Sequence, residues 1–168
     1  MNPVIVIVAL MAVLCTQIPT HNRIMARSTN SVRLERYLEP YEYASNRLTK
    51  DKYKTPKEFF KSDTRDCTDY AVVVYEVLTH HGYDCTIYGM FSEDEYYGHC
   101  IVTYEKGEDI GYFSNNERIE GNIPIEDITF MYNYDFYVII DWEYSRWYWR
   151  EYMPDSSKRE GYGISYID

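Results

Sequence analysis

Apolar residues recur at Tyr70, Ala71, Val74, Val77 and Leu78, one face of a 3.6-residue period carried for nearly three turns. This spacing predicts the chain's clearest helix. Asp66 is a favourable N-cap, Asp69 stands three positions later where it completes a capping box, and Gly82 supplies the stop. Upstream, Thr55-Pro56-Lys57-Glu58 is a second helix start, with a capping Thr, a Pro at the first position and a Glu at the third. Leu34, Tyr37, Leu38, Tyr41 and Leu48 are interrupted by Pro40, which predicts two short helices between Val32 and Leu48.

After Gly82 the period changes from 3.6 to two. Tyr83–Phe91, Gly98–Glu105, Ile110–Ser114 and Phe136–Asp141 read as strands. Lys106-Gly107-Glu108-Asp109 joins the second to the third, an acidic loop spans Ser92–Tyr97, and Pro124–Ile128 reads as a helical turn. Trp142–Tyr152 suits a covering helix or strand. Helices followed by an antiparallel sheet make the expected class α+β.

Residues 1–18 carry no charge, and Val4–Leu14 is uninterrupted apolar. Such a segment reads as a signal anchor, with Arg23 and Arg27 holding the following domain on the cytoplasmic side. A cleaved signal peptide, and hence secretion, is the rival reading. The expected organisation is therefore a hydrophobic segment over 1–18, a polar linker over 19–31, one domain over 32–153 and an irregular tail over 154–168.

Composition narrows the partners. Seventeen Lys and Arg against 27 Asp and Glu give a net charge of −10, which argues against nucleic acid. The 20 tyrosines suit strands as well as a binding groove, so they assign no function. Cys15, Cys67, Cys85 and Cys100 form no C-x-x-C pair and no zinc-ligand spacing, so no metal or organic cofactor is expected. In an exported domain Cys85 and Cys100 could pair; in a cytosolic one all four are free thiols.

Cys67 falls in the first turn of the strongest helix. There the unpaired backbone N–H groups and the positive end of the helix dipole favour a thiolate. His99 opens a strand, where its side chain can reach a neighbouring helix terminus. Cysteine on a helix start and histidine on a strand is a layout suited to thiol catalysis, the imidazole taking and returning the proton. A third polar group would fix the imidazole tautomer, and the hairpin brings Ser114 and Asn115 roughly opposite His99. The plain alternatives are a packing cysteine, an ordinary strand histidine and a turn asparagine.

These blocks resemble the transglutaminase-like superfamily, in particular its small bacterial and phage-type cysteine peptidases. The likeness is carried by Tyr53-Lys54-Thr55-Pro56-Lys57-Glu58-Phe59, Arg65-Asp66-Cys67-Thr68-Asp69-Tyr70-Ala71, Gly98-His99-Cys100-Ile101-Val102 and Gly111-Tyr112-Phe113-Ser114-Asn115. It covers roughly Tyr37 to Ile140. Two positions depart from the family pattern: Arg65 stands where Gly is usual, and Ser114 where the triad Asp is usual. The resemblance implies a papain/transglutaminase-like fold and a Cys67–His99–Asn115 triad, Asn115 orienting the imidazole in place of the missing Asp. It implies attack on a peptide or glutamine amide through a thioester, with a protein or peptide as substrate. The backbone N–H of Cys67, with a second from Tyr53 or Lys54, would serve as oxyanion donors. The loss of the Asp motivates the alternative, a weakened or inactive binding module of the same fold.

Overall fold

The computed structural model describes residues 21–44, 54–92, 98–141, 146–152 and 158–164, the backbone alone for 21, 141, 146–152 and 158–164. The hydrophobic segment 1–18, the acidic loop over 93–97 and the expected second helix beyond Ala44 lie outside these residues. In chain order the helices are α1 (His21–Arg27), α2 (Ser31–Leu38), α3 (Pro56–Phe59), α4 (Cys67–His80) and α5 (Ile125–Met131). The strands are β1 (Asp84–Phe91), β2 (His99–Lys106), β3 (Asp109–Ser114), β4 (Glu117–Glu120), β5 (Phe136–Asp141), β6 (Arg146–Tyr152) and β7 (Lys158–Ile164). All seven strands pair antiparallel in one sheet of order β4-β3-β2-β1-β5-β6-β7, and the fold is α+β as expected.

Alternation along the strands divides the side chains into two cores. Cys100, Val102, Tyr104, Phe113 and Ile87 face α1 to α4, where Ile24, Leu34, Phe59, Tyr70, Val74, Val77 and Leu78 pack on them. Met90, Ile101, Tyr112 and Tyr137 point to the other face, covered by Ile128 of α5. Helix α4 is buried beyond its expected stripe, for Val72 and Val73 are enclosed as well. Enclosing each such side chain is worth about 1.5–3 kcal/mol, so α4 anchors the larger core.

Both ends of α4 are closed by the sequence signals that mark them. Asp66 accepts from Thr68 N (3.1 Å) and Asp69 N (3.0 Å), and Asp69 accepts in return from Asp66 N at 3.1 Å. Past the other end Gly82 takes a left-handed φ of 78°. Its N–H reaches Thr79 O and the Tyr83 N–H reaches Leu78 O, so the last carbonyls are satisfied.

Four expectations change. Residues 19–31, expected as a linker, contain α1 and the first residue of α2, because Ile24 is apolar enough to be fully enclosed in the main core. The start of α2 is fastened to the sheet: Ser31 Oγ donates to Asp109 (2.6 Å), which also accepts from Tyr83 Oη at 2.5 Å. Tyr41–Ala44 is not helical, and Ala44 forms an isolated bridge with Arg65. Asn115-Asn116 is a two-residue turn into β4 rather than the end of the sheet, and the tail expected to be irregular holds β7, paired with β6 along its length.

Candidate active site

Cys67 is the first residue of α4, and the segment before it is held by Arg65. That side chain donates from Nε to Phe59 O (3.1 Å) and from Nη2 to Ser62 O, while its guanidinium lies 4.8 Å from the Tyr41 ring centroid. The residue that departs from the expected Gly thus ties the α3–α4 turn together. Two residues after Cys67, Asp69 is almost fully buried and accepts from Lys54 N (3.1 Å) and Lys54 Nζ (2.5 Å). Asp66 and Asp69 therefore serve as caps and braces.

Two groups of β2 meet the Cys67 sulfur. The Cys100 side chain and N–H, and the His99 imidazole through hydrogen bonding and charge, all favour its thiolate form. Together they draw the Cys67 thiol down to about 4, the Cys100 hydrogen bond contributing most and outweighing the burial that alone would raise it. Cys100 shifts the opposite way, well above the ordinary thiol value, through that same hydrogen bond and then through burial. The opposite directions favour the charged form at Cys67 and the protonated form at Cys100. Cys85, in contrast, is pushed up to about 12 by burial.

His99 stands on the Ile101 face of the alternating strand, yet as the first residue of β2 it can turn past the strand's end toward the helix terminus. Gly98, just before it, permits a close approach to β1: a Cβ there would lie 2.5 Å from both Met90 O and the Phe91 ring. The imidazole is fixed on its other sides. Nε2 lies 2.8 Å from Ser114 Oγ, and the Tyr132 ring packs at 5.4 Å between centroids. With Nε2 engaged by Ser114, Nδ1 is the ring nitrogen left for the thiol.

Cys67 and His99 are thus brought together, whereas the hydroxyl on the imidazole belongs to Ser114. Ser114 pairs with Ile101, one same-face step along from His99. Asn115 occupies the turn that follows, at φ 55°, with its Oδ1 buried and without a hydrogen-bond partner among the described residues. Its left-handed backbone explains the placement, since Asn tolerates that conformation better than most residues. Of the suggested oxyanion donors, the Lys54 N–H is taken by Asp69, and Tyr53 lies outside the described residues. The N–H groups of Thr68, Asp69 and Tyr70 are occupied by Asp66, which leaves that of Cys67 among the first-turn amides.

Sequence reasoning missed the part Cys100 plays beside Cys67. The signal was present, because strand alternation puts Cys100 on the helix-facing side of β2. Tyr132, just beyond α5, carries no comparable signal. The Cys85–Cys100 pairing considered for an exported domain does not fit the sheet: Cys85 pairs with Tyr104 and Cys100 with Gly89, four positions along the ladder. Such an offset is roughly 13 Å, far beyond disulfide reach. Cys67, Cys85 and Cys100 are free thiols. Among the described residues no group of three or more His, Cys, Asp or Glu is placed to hold a metal ion, and no helix is long and apolar enough to cross a membrane. No family model, curated protein or solved structure matches the chain.

Proposed function

We propose that the chain is a thiol hydrolase or acyl transferase of papain/transglutaminase-like layout, with Cys67 as nucleophile and His99 as general acid and base. The observation that carries this reading is Cys67 as the first residue of α4, its thiol lowered by groups that include the His99 imidazole. The Cys67 thiolate attacks an amide carbonyl, the oxyanion forming against the Cys67 N–H. The His99 imidazolium protonates the leaving amine, and a thioester remains on Cys67. His99 then takes a proton from water, or from an incoming amine, and the thiolate departs. In this proposal Ser114 holds the imidazole in the tautomer that presents Nδ1 to sulfur, the part expected of Asn115, and a protein or peptide is the substrate. Residues 1–18 tether or export the domain.

A second reading, a binding module with little or no turnover, is favoured by one observation. The group on His99 Nε2 is the neutral Ser114 hydroxyl, and a hydroxyl stabilises an imidazolium less than a carboxylate does.

The p-nitrophenyl acetate burst separates the two without a known substrate. The full chain should release p-nitrophenolate in proportion to enzyme and carry one acetyl group on Cys67. Cys67→Ala should lose the burst, and His99→Ala should slow it and stall deacylation. Equal release by wild type and Cys67→Ala would leave only the module.

A further inference from the structure

Cys100 is a second sulfur at the same helix start. It is buried on the α4 face of β2, Thr68 Oγ1 lies 3.6 Å from its Sγ, and Cys67 packs against the cluster that contains it. The Thr68 contact puts the Cys100 sulfur against the residue that follows Cys67 in the first turn of α4, and the Cys100 side chain and N–H both act to lower the Cys67 thiol's pKa. Cys67 is half-buried, whereas Cys100 is buried. Cys85 stands four ladder positions from Cys100.

We propose that Cys67 and Cys100 are the two halves of a reversible disulfide, formed when a hydroperoxide oxidises Cys67. The Cys67 thiolate attacks the terminal peroxide oxygen: an S–O bond forms, the O–O bond breaks, and the alkoxide leaves, protonated, as an alcohol or as water. Cys67 is then a sulfenic acid. Cys100 attacks that sulfur: the S–S bond forms, the S–O bond breaks, and hydroxide departs with the Cys100 proton as water. The two thiols supply the two electrons that reduce the peroxide. Exchange with an external dithiol restores both sulfurs. Cys100 thereby protects Cys67 from irreversible oxidation and silences its nucleophile at the same time. The inference rests on the placing of two sulfurs at one helix start and holds whether or not Cys67 turns over an amide.

The test is peptide mapping of the reduced full chain after a small molar excess of hydrogen peroxide, without added reductant. The expected product has lost two hydrogens, contains a Cys67–Cys100 linked peptide, and reverts with dithiothreitol. In Cys100→Ala, dimedone should capture a sulfenic acid on Cys67, and without dimedone the sulfinic acid should accumulate faster than in wild type. Three results would overturn the proposal: no linked peptide in wild type, linkage of Cys67 to Cys15 or Cys85 instead, or equal sulfinic acid formation in both proteins. The linked peptide is read in wild type, so a misfolded variant does not remove the test. The acetate burst is scored separately, so failure of the hydrolase reading and failure of the disulfide are distinct results.

Discussion

Ser114 Oγ lies 2.8 Å from His99 Nε2, where the resemblance expects a carboxylate. A neutral hydroxyl can fix the imidazole's orientation but adds no charge to stabilise its protonated form. A single neutral hydrogen bond is worth about 0.5–1.5 kcal/mol, so Ser114→Ala should slow Cys67 acylation between about two- and tenfold. Ser114→Asp should recover that loss and exceed wild type. Stopped-flow acetate bursts on the three proteins measure this. An unchanged rate in Ser114→Ala would mean that the hydroxyl does not position the ring.

The elements around this pair were legible in the sequence to different depths. The capping box of Asp66 and Asp69, the Thr55-Pro56 start and the Gly82 stop are local chemistry, and each stands as read. Period two found β1, β2, β3 and β5 to within a residue or so at each end. Helix α1 was not legible, because Ile24 is an isolated apolar residue in a polar stretch and its burial depends on contacts from α4 and the sheet. Strand β4 was missed because Asn115-Asn116 reads equally as an end or a turn, and only pairing with β3 decides. At the candidate site, Cys67 and His99 were singled out from cap and strand position. The choice between Ser114 and Asn115 was not, since it turns on the φ of 55° at Asn115.

Gly98 governs where His99 sits. A Cβ at this position would collide with Met90 O and the Phe91 ring, both at 2.5 Å, and β2 would have to move away from β1 at its first residues. Gly98→Ala should cut Cys67 reactivity toward iodoacetamide at neutral pH at least tenfold. Gly107→Ala is the control, because its φ of 63° costs stability, about 1–2 kcal/mol, in a turn remote from the sulfur. It should lower Tm while leaving that reactivity unchanged. Equal reactivity in Gly98→Ala and wild type would contradict the close-approach argument.

Asp69 bears on stability more than on chemistry. It is almost fully buried and accepts from Lys54 N, Lys54 Nζ and Asp66 N. Asp69→Ala strands those three donors, and breaking such a pair from one side should cost about 3 kcal/mol. Asp69→Asn keeps an acceptor and the cap, and should cost about half as much. Urea unfolding reads the difference. A loss below about 1 kcal/mol in Asp69→Ala would show that the brace is not needed to hold the turn before Cys67.

The most direct measurement is the rate of Cys67 alkylation by iodoacetamide as a function of pH, followed by peptide mass spectrometry with Cys85 as internal reference. With its thiol drawn down to about 4, Cys67 is already a thiolate at pH 6, so its rate should be flat from pH 6 to 9 and fall only as pH approaches 4. Cys85, pushed up to about 12, should remain slow throughout. His99→Ala should move the Cys67 profile toward higher pH, since the imidazole is one of the groups holding the thiolate. A Cys67 rate that climbs steadily from pH 7 to 9, as for an ordinary thiol near 8.5, would contradict the activated nucleophile on which the proposed chemistry stands.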